Sequence, residues 1–362
     1  MKRKITEVSV FEFFLCMFVI LIHLFSEGVD TLPKWSFWSV LFSSITRLAT
    51  FAVPGFIFTS GLKLFYKYGE SRHFPYPKFL WDRLKKICFP YWVAIIVYYL
   101  VLSFGIGIYE FHWDDLWHFL ITGDISAQFY FVILILQFYL LMPIWIYLSR
   151  VKNKVFGSIL LAVSLVLTVF FRMNFPYTAV IHKIFPAYLF FWILGMYVGL
   201  HYEAFEKFLI KGKPFLYGGW LLTAVAHCVL SYMQFAGVMV YGFSPIIMVL
   251  FCSFSIFGFY AYIRELTISL ESRGKGLLTS ISQASYDIYL WHCLIIIVMN
   301  WLMTKMEIDQ ILKRFVINCL TTYSISIIFC VLYSTIYANI RAKYLRASAT
   351  RARKIARRKR YL

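Results

Sequence analysis

The stretch EVSVFEFFLCMFVILIHLFS, residues 7–26, governs how the rest of the chain is read. A helix needs about 20 mostly apolar residues to cross a bilayer, and this stretch supplies them with few interruptions, chief among them Glu12 and His23. At roughly 100° per residue, the eleven steps between those two return a helix to within about 20° of its starting face. Glu12 and His23 are therefore predicted to share one stripe, about 16 Å apart along the axis. Ionisable groups inside a span are costly and mark function by default.

The composition extends this reading to the whole chain. Of its 362 residues, 61% are apolar and 15% charged, against about 25% charged in soluble domains. Segments 8–26, 38–64, 87–108, 126–148, 155–172, 183–201, 215–234, 242–263, 281–302 and 315–338 each qualify as a span. The expected fold is all-α, a polytopic membrane bundle of about ten transmembrane helices. Residues 1–340 form one transmembrane domain, and 341–362 a basic tail. The connections are short; the longest, 65–86, is polar and basic and is expected to include a piece of interfacial helix. No soluble domain is inserted, which excludes the soluble enzyme classes, and no internal repeat stands out. The opening MKRK precedes a span without a small-residue cleavage site, so a retained helix is expected and not a removed signal peptide.

Charge orients the spans. With a cytoplasmic N-terminus and ten spans, 28 Lys and Arg fall on the cytoplasmic side, six on the other, and Arg47 and Lys63 inside the second span. By the positive-inside rule both termini are expected in the cytoplasm of a multi-pass cell-membrane protein. The net charge of +19 follows from the same bias. The tail RAKYLRASATRARKIARRKRYL fits attraction to anionic lipid headgroups; no nucleic-acid partner is expected. Seven cysteines lie in or beside apolar segments without metal-type spacing. They are expected to pack as small hydrophobes, with no disulfide and no metal.

The remaining ionisable groups in spans are few. They are Arg47 and Lys63 in the second, His227 in the seventh, and Asp287 and His292 in the ninth, with Arg172, His182 and Lys183 near the outer ends of the fifth and sixth and His201 at an inner end. His23 is expected about 22 Å across a core of about 30 Å. Arg47, entering from the other side, reaches a similar depth, with Asp287 lower and His292 about 7 Å above it. The first, second and ninth helices thus offer a polar track. Quieter roles stay open: His23 bonding a carbonyl, Arg47 pairing with Asp287 or Glu12, His227 packed in the core. So does transport, as a proton-coupled pathway or polysaccharide exporter, although repeats and interrupted helices are its usual signs. The outer loop YEFHWDDLWHFLITGD, 109–124, sets aromatics beside acids, which suits sugar recognition or an interfacial aromatic belt.

Several stretches in order resemble the acyltransferase 3 family of integral membrane acyltransferases, which includes enzymes that O-acylate surface polysaccharides. The first span is similar to the family's opening helix, whose histidine is regarded as catalytic; His23 matches it. TRLATFAVPGFIFTSGLKLF, 46–65, resembles the family's arginine followed by a Val-Pro-Phe-Phe-x-x-Ser-Gly pattern, with Arg47, Pro54, Phe56, Ser60 and Gly61 in the corresponding places. WDRLKKICFPYW, 81–92, resembles its Arg-x-x-Arg pair before Pro-Tyr, here Arg83 and Lys86. AQFYFVILILQFYLLMPI, 127–144, is similar to its aromatic start and proline end. SQASYDIYLWHCLI, 282–295, resembles its Ser-x-x-Ile-Tyr-Leu-x-His segment through Ser285, Tyr289 and His292. The chain departs at one place: the family's arginine ten or eleven residues before the histidine is absent, and Glu12 stands there. Another cation, Arg47 or Arg83, a different acceptor, or loss of catalysis would each account for that.

The resemblance implies acyl transfer to a cell-surface or lipid-linked glycan. Acyl-CoA, most simply acetyl-CoA, is the implied co-substrate, with no permanently bound cofactor. Its phosphates would meet Lys78, Arg83, Lys85 and Lys86, although those cations also satisfy the positive-inside rule alone. His23 would act as general base on the acceptor hydroxyl or carry the acyl group covalently. Arg47 would hold the thioester carbonyl or stabilise developing negative charge, and Glu12 would orient or neutralise a cation lower in the track. The expected partners are membrane lipids and the glycan acceptor. A non-catalytic partner of a glycan synthase is the alternative that the Glu12 departure suits.

Overall fold

A computed structural model describes residues 5–71, 73–151, 153–175, 179–238, 242–272, 284–328 and 332. The expectations for Cys330 and the basic tail lie outside the described residues. Every regular element among the described residues is helical. Eight stretches are long and apolar enough to cross a membrane, and ten are if each of two bent pairs counts as one span.

Helix α1, Thr6–Thr31, carries Glu12 and His23. The second predicted span is two helices, α2 (Phe37–Ala49) and α3 (Ala52–Tyr68). Pro54 accounts for the break. Having no N–H, it leaves the carbonyl of Thr50 without its helical donor. Two more prolines disturb their helices in the same place relative to the ring. Helix α4 (Tyr76–Arg83) passes through a π-helical turn at Leu84–Cys88 into α5 (Phe89–Leu100), just ahead of Pro90. Beyond α6 (Trp113–Thr122), helices α7 (Tyr130–Leu140) and α8 (Met142–Ser149) part at Leu141, just ahead of Pro143. The helix that carries the third apolar run begins at Tyr76, so the interval 65–86 holds the end of α3, a short loop and a helical segment continuous with the third span.

The chain continues through α9 (Lys154–Asn174), α10 (Leu189–Leu200), α11 (Tyr202–Lys211), α12 (Lys213–Ala236), α13 (Ser244–Ser272), α14 (Ser285–Lys305) and α15 (Ile311–Ile328). Helix α9 leaves Val155, Ile159, Val163, Val166 and Phe170 exposed. Its buried residues are only Ser164 and Thr168. An apolar surface of this extent suits lipid and not water.

The tightest seam joins α3 to α10. A Cβ on Gly61 would stand 2.7 Å from the Trp192 carbonyl oxygen, and one on Gly199 2.5 Å from that of Leu62. On Gly195 it would overlap the Phe58 carbonyl. Gly195 and Gly199 form a G-x-x-x-G pair, the spacing that lets membrane helices touch backbone to backbone. Gly195→Val is expected to lower the stability of the detergent-solubilised protein by at least the ~1–3 kcal/mol of an overpacked core. A thermal melt followed by size-exclusion recovery measures it.

Candidate active site

Helix α1 takes two neighbours in fixed register. Against α2 and α3 it runs antiparallel. The Phe25 and Phe42 ring centroids are 4.6 Å apart, those of Phe18 and Phe51 5.2 Å, and Thr59 donates to Glu12 Oε1 at 2.8 Å. That register sets Arg47 level with His23. Against α14 it runs parallel. The Cys16 thiol donates to the Ser285 carbonyl at 3.3 Å. Seven residues further along both helices His23 meets His292, with ring centroids 5.3 Å apart. Seven residues is nearly two full turns, so one face of each helix makes both contacts.

The two imidazoles differ. His23 is half-buried, whereas His292 is fully buried. His292 Nδ1 lies 2.8 Å from the Tyr289 carbonyl and 3.3 Å from that of Ile288. A carbonyl only accepts, so Nδ1 carries the proton and Nε2 keeps its lone pair. The Cys293 sulfur stands 3.2 Å from that Nε2. The donor atoms of His23, His292 and Cys293 all lie within 4.8 Å of one another, close enough to be considered as a metal-holding group.

A buried polar network supports this cluster from the side of α5 and the turn before α7. Gly123 closes α6 in the left-handed region, at φ 70°. The chain then turns through Ser126, whose hydroxyl donates to Gln128 Oε1 at 2.6 Å. Gln128 Nε2 donates to the Tyr98 hydroxyl at 2.9 Å. That hydroxyl donates to the Leu290 carbonyl at 2.9 Å and accepts from the Leu294 amide at 2.8 Å. It thus bridges a carbonyl and an amide that an α-helix ordinarily pairs with each other, on either side of His292 and Cys293. The Tyr289 hydroxyl donates to the Gln128 carbonyl. Tyr98 is fully buried and Gln128 is 1% exposed, so no water replaces these bonds at the surface.

The other residues singled out in the sequence sit elsewhere. Glu12 accepts from Lys63 Nζ at 2.7 Å as well as from Thr59. The cation that answers its charge is Lys63, in place of Arg47 or Arg83. The stripe shared by Glu12 and His23 therefore meets different partners: α3 holds Glu12, and α14 faces His23. Arg47 has no carboxylate within ion-pair distance among the described residues. Its electrostatic neighbours are His227 and Cys228 on α12. His227 stacks on Phe251 and bonds Thr50 at 3.2 Å. Asp287 occupies the first turn of α14, where the helix dipole favours a carboxylate.

Lys78, Arg83, Lys85 and Lys86 are helical, on α4 and the π turn after it. Arg83 lies 5.2 Å from the centroids of both Phe79 and Tyr139, and Lys85 lies 4.8 Å from that of Trp81. Lys78 and Lys86 are exposed. In the 109–124 segment, Trp113, Trp117 and Ile121 project from one face of α6 and are exposed.

Lys63, Tyr98, Ser126, Gln128 and Cys293 were not singled out as site residues from the sequence. The first was counted only as a charge, and the others look ordinary in apolar surroundings. That Tyr98 meets Leu290 and Leu294, four residues apart on α14, has no signature in the chain itself.

A family profile described as an acyltransferase domain matches residues 5–343. No curated protein and no solved structure matches the chain.

Two outcomes are expected for the supporting contacts. Tyr98→Phe leaves Gln128 Nε2 without a buried partner. It is expected to cost about 1–3 kcal/mol in thermal unfolding. Glu12→Gln and Lys63→Met are each expected to destabilise, and the double variant by less than their sum. A coupling of about 0.5–3 kcal/mol in a double-mutant cycle is the expected measure of the pair.

Proposed function

The chain belongs to the acyltransferase 3 family of membrane acyltransferases, and on that premise we propose that it moves an acyl group, most simply acetyl, from cytoplasmic acyl-CoA to a hydroxyl of a cell-surface or lipid-linked glycan. The observation that carries this reading is the pair of imidazoles, His23 half-buried against a fully buried His292 at 5.3 Å between centroids.

His23 is the group an acceptor hydroxyl can reach, and a neutral imidazole there takes the hydroxyl proton as oxygen attacks the acyl carbon. His292 cannot turn freely, because Nδ1 is tied to the Tyr289 carbonyl. Its ring therefore supports one flank of His23. Arg47 lies level with His23 and has no acid to neutralise it among the described residues. A guanidinium so placed suits the carbonyl oxygen of the thioester, on which negative charge develops. Ser285 and Tyr289 act as structure: the backbone carbonyl of the first takes the Cys16 thiol, and the backbone of the second aims His292. Lys78, near the start of α4, and Lys86 are exposed and are available to the phosphates of CoA. Arg83 and Lys85 are partly engaged by aromatic faces. Glu12 neutralises Lys63 and takes no part in the chemistry.

The test is transfer of radiolabel from acetyl-CoA to surface glycan in membranes. Wild type is expected to label glycan. His23→Ala is expected to lose at least the ~100-fold that a general base supplies, while eluting from size exclusion as wild type does. Normal transfer by His23→Ala would remove the assignment.

A further inference from the structure

The reaction as described leaves several buried thiols unused, and one of them stands beside an imidazole nitrogen. We propose that Cys293 is a second catalytic group, which takes the acyl from the donor thioester and holds it as its own thioester until the acceptor hydroxyl arrives. This rests on the acyl-CoA reading above.

The geometry has the three parts of an activated nucleophile: the nucleophile, a base within hydrogen-bond reach, and a third group that orients the base. The Cys293 thiol stands 3.2 Å from His292 Nε2. That nitrogen is the one with the lone pair, because Nδ1–H is committed to the Tyr289 carbonyl at 2.8 Å. The Ser126 hydroxyl is an electrostatic neighbour of the Cys293 sulfur. It donates to Gln128 Oε1 at 2.6 Å and can turn to a thiolate once one forms. Other thiols are placed differently. Cys16 and Cys228 direct theirs at the backbone carbonyls of Ser285 and Ser44, which take no proton.

Burial fits a covalent intermediate. Cys293 is 6% exposed and His292 fully buried, so a thioester there is screened from hydrolysis. His23, within the same 4.8 Å cluster, is the half-buried member and meets the hydroxyl.

The two steps balance. In the first, His292 Nε2 takes the thiol proton and the Cys293 sulfur attacks the acyl carbon of acyl-CoA. The carbon–sulfur bond to CoA breaks, and His292 returns the proton to the departing thiolate. One thioester replaces another, so the driving force is kept for the second step. There His23 takes the proton of the acceptor hydroxyl and its oxygen attacks the acyl carbon. The bond to Cys293 breaks, and the proton passes from His23 to the Cys293 thiolate. The products are an ester and free thiol on both CoA and Cys293.

The experiment uses the full chain purified in detergent, mixed with [14C]acetyl-CoA without acceptor, then denatured. His23→Ala is expected to accumulate label that neutral hydroxylamine releases, mapped to Cys293 by peptide mass. Cys293→Ala and the double variant are expected to hold none, and Cys252→Ala, on α13, to label as its parent does. In membranes, Cys293→Ala is expected to lose transfer about a hundredfold or more. Transfer by Cys293→Ala within about twofold of wild type would overturn the relay and leave the acyltransferase reading standing. Absence of hydroxylamine-labile label in His23→Ala would also overturn it. So would stoichiometric zinc in the wild type that Cys293→Ala loses, since a metal-bound sulfur is not a free nucleophile. If wild type itself transfers nothing to glycan, the reading beneath it fails and the relay fails with it.

Discussion

The contact between the backbones of α3 and α10 is the constraint on which the rest of the bundle depends. Lipid gives no hydrophobic drive for helix association, so membrane helices associate through close packing and shared hydrogen bonds. Gly61, Gly195 and Gly199 remove the side chains that would hold these two helices apart. Once α3 is anchored on α10, its Thr59 and Lys63 fix α1 through Glu12. The level of His23 follows from that attachment. Beyond the turn at Thr50 and Phe51, α2 carries Arg47 to the same level within the one 32-residue stretch Phe37–Tyr68.

The pairing of α1 with α14 completes the site from the other side. Two contacts seven residues apart on both helices, Cys16 with Ser285 and His23 with His292, leave little freedom to slide. A slip of one residue would rotate both pairs out of contact together. Tyr98 adds a third tie on the far face of α14. It grips the backbone at Leu290 and Leu294, and so holds the turn that carries His292 and Cys293. The side chains that bear chemistry are thus positioned largely through backbone groups.

Much of this was legible in the chain and some was not, for physical reasons. The spans were visible because a 20-residue apolar run has few alternatives to crossing a bilayer. Helix depth placed His23 and Arg47 at one level, since a rise of 1.5 Å per residue needs no tertiary knowledge. The family appeared through motifs in order along nearly the whole chain. The partner of Glu12 did not appear, because Lys63 reaches it only through the antiparallel register of α1 and α3. Cys293 was passed over for a related reason. In sequence it is one more thiol in an apolar run; its distinction comes from the ring nitrogen left bare when Tyr289 takes the other. The polar network through Tyr98, Gln128 and Ser126 joins three segments distant in sequence, and no spacing rule connects them.

The pairing of Glu12 with Lys63 has a consequence for how such a chain can have arisen. Relatives with arginine where Glu12 stands would set two cations side by side if they also kept a lysine at the position of Lys63. Either charge changed alone leaves its partner uncompensated in a medium that solvates it poorly. The path between the two arrangements runs through an intermediate in which one of the positions is first made neutral. A chain with arginine in place of Glu12 is then expected to hold a neutral residue or an acid in place of Lys63.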